Sequence, residues 1–308
     1  MKLTRREFLS WAGKALGAMV LPKETEWAGP GTLPARPLGR TGCAVTLFGL
    51  GGGGILRTAG RTAEAVSVIR RALEQGVNFF DAAPDCGQNE EYLGEALQGD
   101  RKKIFLASKT RDRSRDGSLE LLESSLRRLK TGHLDLWQLD GLREMSDLEQ
   151  LFSKEGAIRA VEQAKAEKRI RFVGITGEWA PDVLAEAVRR YPFDAAAVPI
   201  NPADRARLSF IEEFLPLAAE KGMGVIARKV TAGGALLEDP ARLTPAEAIR
   251  YALGQPGVST ALVGCSTPEE VDQNAAAARL RPLPPEERVQ LEERVRLLAP
   301  QYAYFKRG

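Results

Sequence analysis

Three cysteines and one histidine are the soft nucleophile and metal-ligand candidates in this chain, and their spacing argues against joint chemistry. Cys43, Cys86 and Cys265 lie far apart with no CxxC pair, so no zinc site, iron–sulfur cluster or disulfide framework is indicated. His133 stands alone ahead of an apolar run, and one imidazole does not make a histidine metal cluster. No metal is expected. The remaining reactive types, Asp, Glu, Lys and Arg, are numerous and are interspersed with short apolar runs.

Those runs belong to a regular alternation. Apolar stretches suited to buried parallel strands recur at Val45–Leu50, Asn78–Ala82, Ile104–Ser108, Leu134–Leu139, Ile170–Ile175, Ala195–Ile200, Gly224–Lys229 and Ala261–Val263. Between and after them lie amphipathic helical patterns at Thr62–Gln75, Asn89–Leu97, Ser118–Leu129, Gly156–Lys168, Pro181–Arg190, Phe210–Lys221, Pro245–Leu253 and Pro268–Ala278. In the first helix Val66, Ile69 and Leu73 are expected to share the buried face. Thr244-Pro245 and Thr267-Pro268 read as an N-cap followed by proline at the first helical position, with glutamates favoured by the helix dipole. Eight such units in roughly 240 residues fit a single-domain (β/α)8 TIM barrel over residues 31–308, with one extra helix at Pro284–Leu298. An open dinucleotide-binding sheet fits less well. The run Gly49–Gly54 looks like a GxGxxG turn, but no helix follows at once, so it is read as a strand-end loop that approaches a ligand.

A net charge of +3 and 44% hydrophobic residues describe a chain with ample core and only mild basicity. Its basic residues are spread over helix faces without interleaved aromatics, which gives nucleic-acid binding little support. Residues 1–30 are set apart from the fold. Thr4-Arg5-Arg6-Glu7-Phe8-Leu9 followed by a weakly apolar stretch matches a twin-arginine export signal, implying engagement of the translocation machinery and an extracytoplasmic location. Lys14 interrupts that stretch, which is too short for a stable membrane span. No small-x-small cleavage site precedes Trp27-Ala28-Gly29, so no cleavage point is assigned. Export in the folded state suits a domain that loads a cofactor first.

Several segments, in order and at matching spacings, resemble the aldo-keto reductases. They are Arg36-Pro37-Leu38-Gly39-Arg40-Thr41-Gly42, Asn78-Phe79-Phe80-Asp81-Ala82, Asn89-Glu90-Glu91-Tyr92-Leu93-Gly94, Ile104-Phe105-Leu106-Ala107-Ser108-Lys109 and Leu134-Asp135-Leu136-Trp137-Gln138-Leu139-Asp140. The resemblance runs from residue 36 onward. It implies NADP(H)- or NAD(H)-dependent reduction of a small carbonyl substrate by a Tyr acid, a Lys, its paired Asp and an orienting His. Asp81 and Lys109 match that set. Cys86 stands at the tyrosine position and Asp140 at the histidine position.

Hydride delivery leaves negative charge on the carbonyl oxygen, so an adjacent proton donor is required. A thiol beside a lysine tends toward thiolate and cannot serve. Two carboxylates around one lysine could leave Asp140 protonated and able to act as the acid. Tyr302 or Tyr304 folding over the mouth offers another donor, and a small residue filling a vacated site is the bland account of Cys86.

For the cofactor, the resemblance assigns Gly264, Ser266, Thr267, Glu270 and Asn274 to the adenosine end. Lys229 and Gly233 fall in the loop over the pyrophosphate, and Thr176, Gly177 and Asn201 beside the nicotinamide. Glu270 stands where NADPH-preferring members place a basic residue, which favours a ribose hydroxyl. Ala197 replaces a common carboxamide-binding Gln. The competing readings are a barrel that binds nicotinamide nucleotide or protein without turnover, and a lyase or isomerase using Lys109 as a Schiff-base nucleophile.

Overall fold

A computed structural model describes residues 32–238, 241–297, 299–302 and 306. The expected export segment, together with Tyr304 and Phe305, lies outside them. Eight parallel strands close into a barrel in sequence order: β3 (Phe48–Gly54), β4 (Phe79–Asp81), β5 (Phe105–Thr110), β6 (Leu134–Leu139), β7 (Ile170–Thr176), β8 (Ala195–Pro199), β9 (Gly224–Arg228) and β10 (Val258–Cys265), which pairs back onto β3. The expected (β/α)8 architecture is the observed one. Helices α1 (Thr62–Glu74), α2 (Asn89–Ala96), α3 (Arg115–Arg128), α4 (Met145–Leu151), α5 (Ala157–Ala166), α6 (Pro181–Arg190), α7 (Phe210–Glu213), α8 (Leu215–Glu220), α9 (Pro245–Leu253) and α10 (Pro268–Arg279) surround it. They are followed by α11 (Pro285–Val295) and α12 (Ala299–Tyr302).

Ahead of the barrel, β1 (Ala35–Pro37) and β2 (Ala44–Thr46) form an antiparallel hairpin. The run Val45–Leu50 is therefore two strands, not one, divided at Leu47. Leu38 and Val45 of the hairpin pack with Phe79, Phe105, Leu136, Ala195 and Ile226 from the early positions of the barrel strands, plugging the N-terminal end. Phe79, Phe105 and Phe172 stack there with centroids 5.6 and 6.3 Å apart. With one end sealed, chemistry is left to the other, as barrels generally arrange it.

Gly49–Gly54 is also strand and not loop, because β3 runs through it and pairs with β10. The glycines serve a close approach: a Cβ on Gly264 would sit 2.6 Å from the Gly53 backbone. In α1 the buried residues are Ala65, Val68, Ile69 and Ala72, with Val66 and Leu73 half-buried beside them, so the apolar stripe is rotated from the expected one. Two of the four buried residues are alanines, small enough to let the helix sit close against the sheet. The caps behave as their chemistry predicts. Thr244 accepts from the Glu247 amide at 3.1 Å while the Glu247 carboxylate accepts from the Thr244 amide at 2.7 Å, a reciprocal capping box. Among the described residues no helix is long and apolar enough to cross a membrane.

Candidate active site

Side-chain alternation decides what enters the barrel mouth. Phe79 and Ala107 lie in the inner core, so two residues on, Asp81 and Lys109 point the same way at the C-terminal ends of adjacent strands. The same step of two carries Leu136 to Gln138 and onward to Asp140, and Ile226 to Arg228. Every residue of the resulting cluster thus follows from an apolar partner deeper in the barrel.

Asp81 and Lys109 are each only 5% exposed and form a direct ion pair. Lys109 Nζ also donates to the Ala82 carbonyl at 2.7 Å, and Gln138 Nε2 donates to the second Asp81 oxygen at 2.7 Å. Two of the three ammonium N–H groups are therefore used, and both oxygens of Asp81 are engaged. Gln138 is a positioning residue that the sequence reading missed, although its place on the Leu136 face was visible.

Asp140 is equally buried and lies in an ion-pair network. The Thr176 hydroxyl donates to its Oδ1, Arg111 Nε donates to Oδ2 at 2.8 Å, and Arg228 Nη1 lies 3.6 Å from Oδ1. Burial by itself would raise the Asp140 pKa, but Arg228, Lys109, the Thr176 hydroxyl and Arg111 more than offset it and hold the carboxyl at about 2. Asp140 is thus ionised at neutral pH. That corrects the expectation of a protonated Asp140 acting as the acid: the two arginines that neutralise it were not foreseen. Arg111 also pairs with Asp85, while Arg228 pairs with Glu178 at 2.8 Å and Lys229 with Glu178 at 3.6 Å.

Cys86 is half-buried in the turn after β4, where its thiol donates to the Gly52 carbonyl at 3.1 Å. The turn is tied down by Asn89, which donates to the Cys86 carbonyl at 2.5 Å and accepts from the Ala83 amide at 3.2 Å. Tyr302 is buried in α12, which packs on the turns at 204–206 and 232–237. Lys306 anchors the chain beyond it through Asp204, whose carboxylate and carbonyl both accept from its ammonium, at 2.5 and 2.9 Å. A Schiff-base role for Lys109 fits poorly, since its nitrogen is already engaged by the Asp81 carboxylate and the Ala82 carbonyl.

The residues assigned to a nucleotide gather at the ends of β7–β10, with most of their polar groups already engaged. Thr267 caps α10, accepting from the Glu270 amide at 3.3 Å, while the Glu270 carboxylate accepts from the Ser266 amide at 2.7 Å. An anion thus occupies the amide that a phosphate would otherwise use. Asn274 donates to Cys265 Sγ at 3.3 Å, and burial pushes that thiol up to about 12, so it is inert. Asn201 donates to the Lys229 carbonyl at 2.9 Å and accepts from the Ala203 amide at 3.0 Å. Thr176 is committed to Asp140 and also lies 3.3 Å from Arg228 Nη1. Gly177 makes room for Leu184, 2.3 Å from where its Cβ would be. Gly233 and its neighbour Gly234 adopt φ of 72° and 104°, conformations that glycine supplies without strain.

The model of the aldo/keto reductase family matches residues 47–247. YqkF of Bacillus subtilis, described as an uncharacterized oxidoreductase, is 30% identical over 299 residues, covering 82% of this chain and 93% of its own. L-galactose dehydrogenase of Arabidopsis thaliana is 30% identical over 281 residues, covering 79% and 87%. The holo form of aldo-keto reductase AKR11C1 from Bacillus halodurans has a similar structure, with a TM-score of 0.73 at 27% identity over 85% of this chain and 96% of that one. By fold and by these relationships, the chain belongs to the aldo/keto reductase family.

Proposed function

We propose that this protein is an exported nicotinamide-dependent oxidoreductase that interconverts a carbonyl and an alcohol, with Lys109 in place of tyrosine as the proton donor. The observation that carries the reading is the buried Asp81–Lys109 pair at the open end of the barrel, with one ammonium N–H left beyond Asp81 and Ala82. The bound cofactor supplies a hydride. Lys109 stabilises the negative charge that develops on the carbonyl oxygen and delivers the proton, while Asp81 and Gln138 fix its position. Cys86 stands at the tyrosine position of the family with its S–H turned to Gly52, and takes no part in proton transfer. Asp140, in place of the family histidine, orients Arg111 and Arg228.

The donor set fits a nicotinamide dinucleotide with a free ribose 2′-hydroxyl, because Glu270 can accept from that hydroxyl and repels a phosphate. Thr176 and Asn201 would hold the carboxamide by sharing their present partners. Titration of the purified protein with NADH and NADPH, followed by loss of nicotinamide absorbance with a carbonyl panel, tests the reading. Carbonyl-dependent oxidation is expected. Binding without oxidation would favour the non-catalytic barrel instead, and failure to bind either nucleotide would remove the cofactor. NADH is expected to bind more tightly than NADPH, and Glu270→Arg to shift the ratio about tenfold or more toward NADPH. An unchanged ratio would dissociate Glu270 from the choice.

Export follows from the twin-arginine segment. A tagged full-length chain is expected in the periplasmic fraction of a bacterial host. Replacing both Arg5→Lys and Arg6→Lys should retain it in the cytoplasm, and equal partitioning of the two chains would sink the assignment.

A further inference from the structure

We propose that the substrate carries a carboxylate, held at the barrel mouth between Arg111 and Arg228; this rests on the oxidoreductase reading. Two guanidiniums converge on the single buried carboxylate of Asp140, Arg111 on Oδ2 and Arg228 near Oδ1, so they lie within the width of one small anion. Around the Asp81–Lys109 pair, three cations (Lys109, Arg111 and Arg228) face two anions (Asp81 and Asp140). Two outer carboxylates, Asp85 on Arg111 and Glu178 shared by Arg228 and Lys229, bring the cluster to four cations and four anions.

Those two carboxylates sit on the loops after β4 and β7, with side chains 42% and 24% exposed, while the Arg111 side chain is 63% exposed. A substrate carboxylate that displaces either leaves the charge balance of the site intact and keeps each guanidinium paired. The planar fork of arginine suits two parallel bonds to a carboxylate, which also fixes direction. A neutral substrate of the same size leaves the arginines paired with Asp85 and Glu178 and gains nothing from them. The site therefore discriminates by charge, and Glu178 and Asp85 act as stand-ins for the anion.

The test pairs aldehyde acids with their methyl esters, 4-formylbenzoate and 4-oxobutanoate being the acid members, in calorimetric binding and NADH oxidation by the full chain. The acids are expected to bind about tenfold or more tightly than the esters. Arg111→Gln and Arg228→Gln should each erase most of that preference, and Glu178→Gln, which removes the outer carboxylate from both Arg228 and Lys229, should enlarge it. Esters bound as well as acids, acid preference surviving in both arginine variants, or no binding of any acid would overturn the proposal. Selective binding of acids that are never reduced would uphold the carboxylate site and instead remove the oxidoreductase reading.

Discussion

Lys109→Met is expected to abolish carbonyl reduction and to destabilise the fold, and the two losses should separate in a second variant. Loss of a positioned acid costs about 10²–10⁴ in rate. Removing one member of a buried pair leaves the other charged and uncompensated, which costs about 3–5 kcal/mol. Asp81 would then keep only the Gln138 amide among its present side-chain partners. Adding Asp81→Asn to Lys109→Met removes the orphaned charge, keeps an oxygen to accept from the Gln138 amide and should recover much of the stability. It should recover no activity. Denaturant unfolding and single-turnover oxidation of NADH measure the two effects independently. Full turnover in Lys109→Met would show that the proton comes from elsewhere.

The sequence carried the barrel through local signals, whereas the Asp81–Lys109 pair came only from the resemblance to the aldo-keto reductases. Each strand is a short apolar run before a helix, a pattern that needs no knowledge of distant partners. Partners across the barrel were another matter. Arg228 meets Asp140 only because closure brings the end of β9 across to the end of β6, and no spacing along the chain encodes that distance. Glu178 and Arg111 lie on loops whose direction is set by those pairings. The same limit explains Asp140: two carboxylates and one lysine were legible, whereas two further cations were not, and they reverse the protonation state. Local ambiguity caused the remaining differences. Val45–Leu50 is continuously apolar, so the bend at Leu47 between hairpin and barrel left no mark, and the glycines of β3 resemble a loop until Gly264 is placed against Gly53. Helix α4 lies in a segment that the periodicity did not assign.

Asp140→Asn separates the ionised, positioning Asp140 from a general acid. The wild-type carboxyl titrates near 2 in the fold against an ordinary value of 3.8. Its depressed pKa means that the stabilisation is complete above about pH 5 and disappears as pH falls through 3.8 toward 2. A depression of that size is worth roughly 2–3 kcal/mol at neutral pH. Asp140→Asn should therefore lose about this much stability at pH 7 and flatten the acid limb of the stability profile. In catalysis the expectations diverge. An Asp140 that donated the proton would take about 10²–10⁴ in kcat with it and erase a limb of the pH–rate profile. The ionised Asp140 has no proton to give, so the asparagine variant should stay within about tenfold of wild type in kcat and keep the shape of that profile. Its larger change should be in binding, because Arg111 and Arg228 lose the charge that they share and turn more strongly toward an anionic substrate. A collapse of kcat with KM unmoved would return the acid to Asp140 and take it from Lys109.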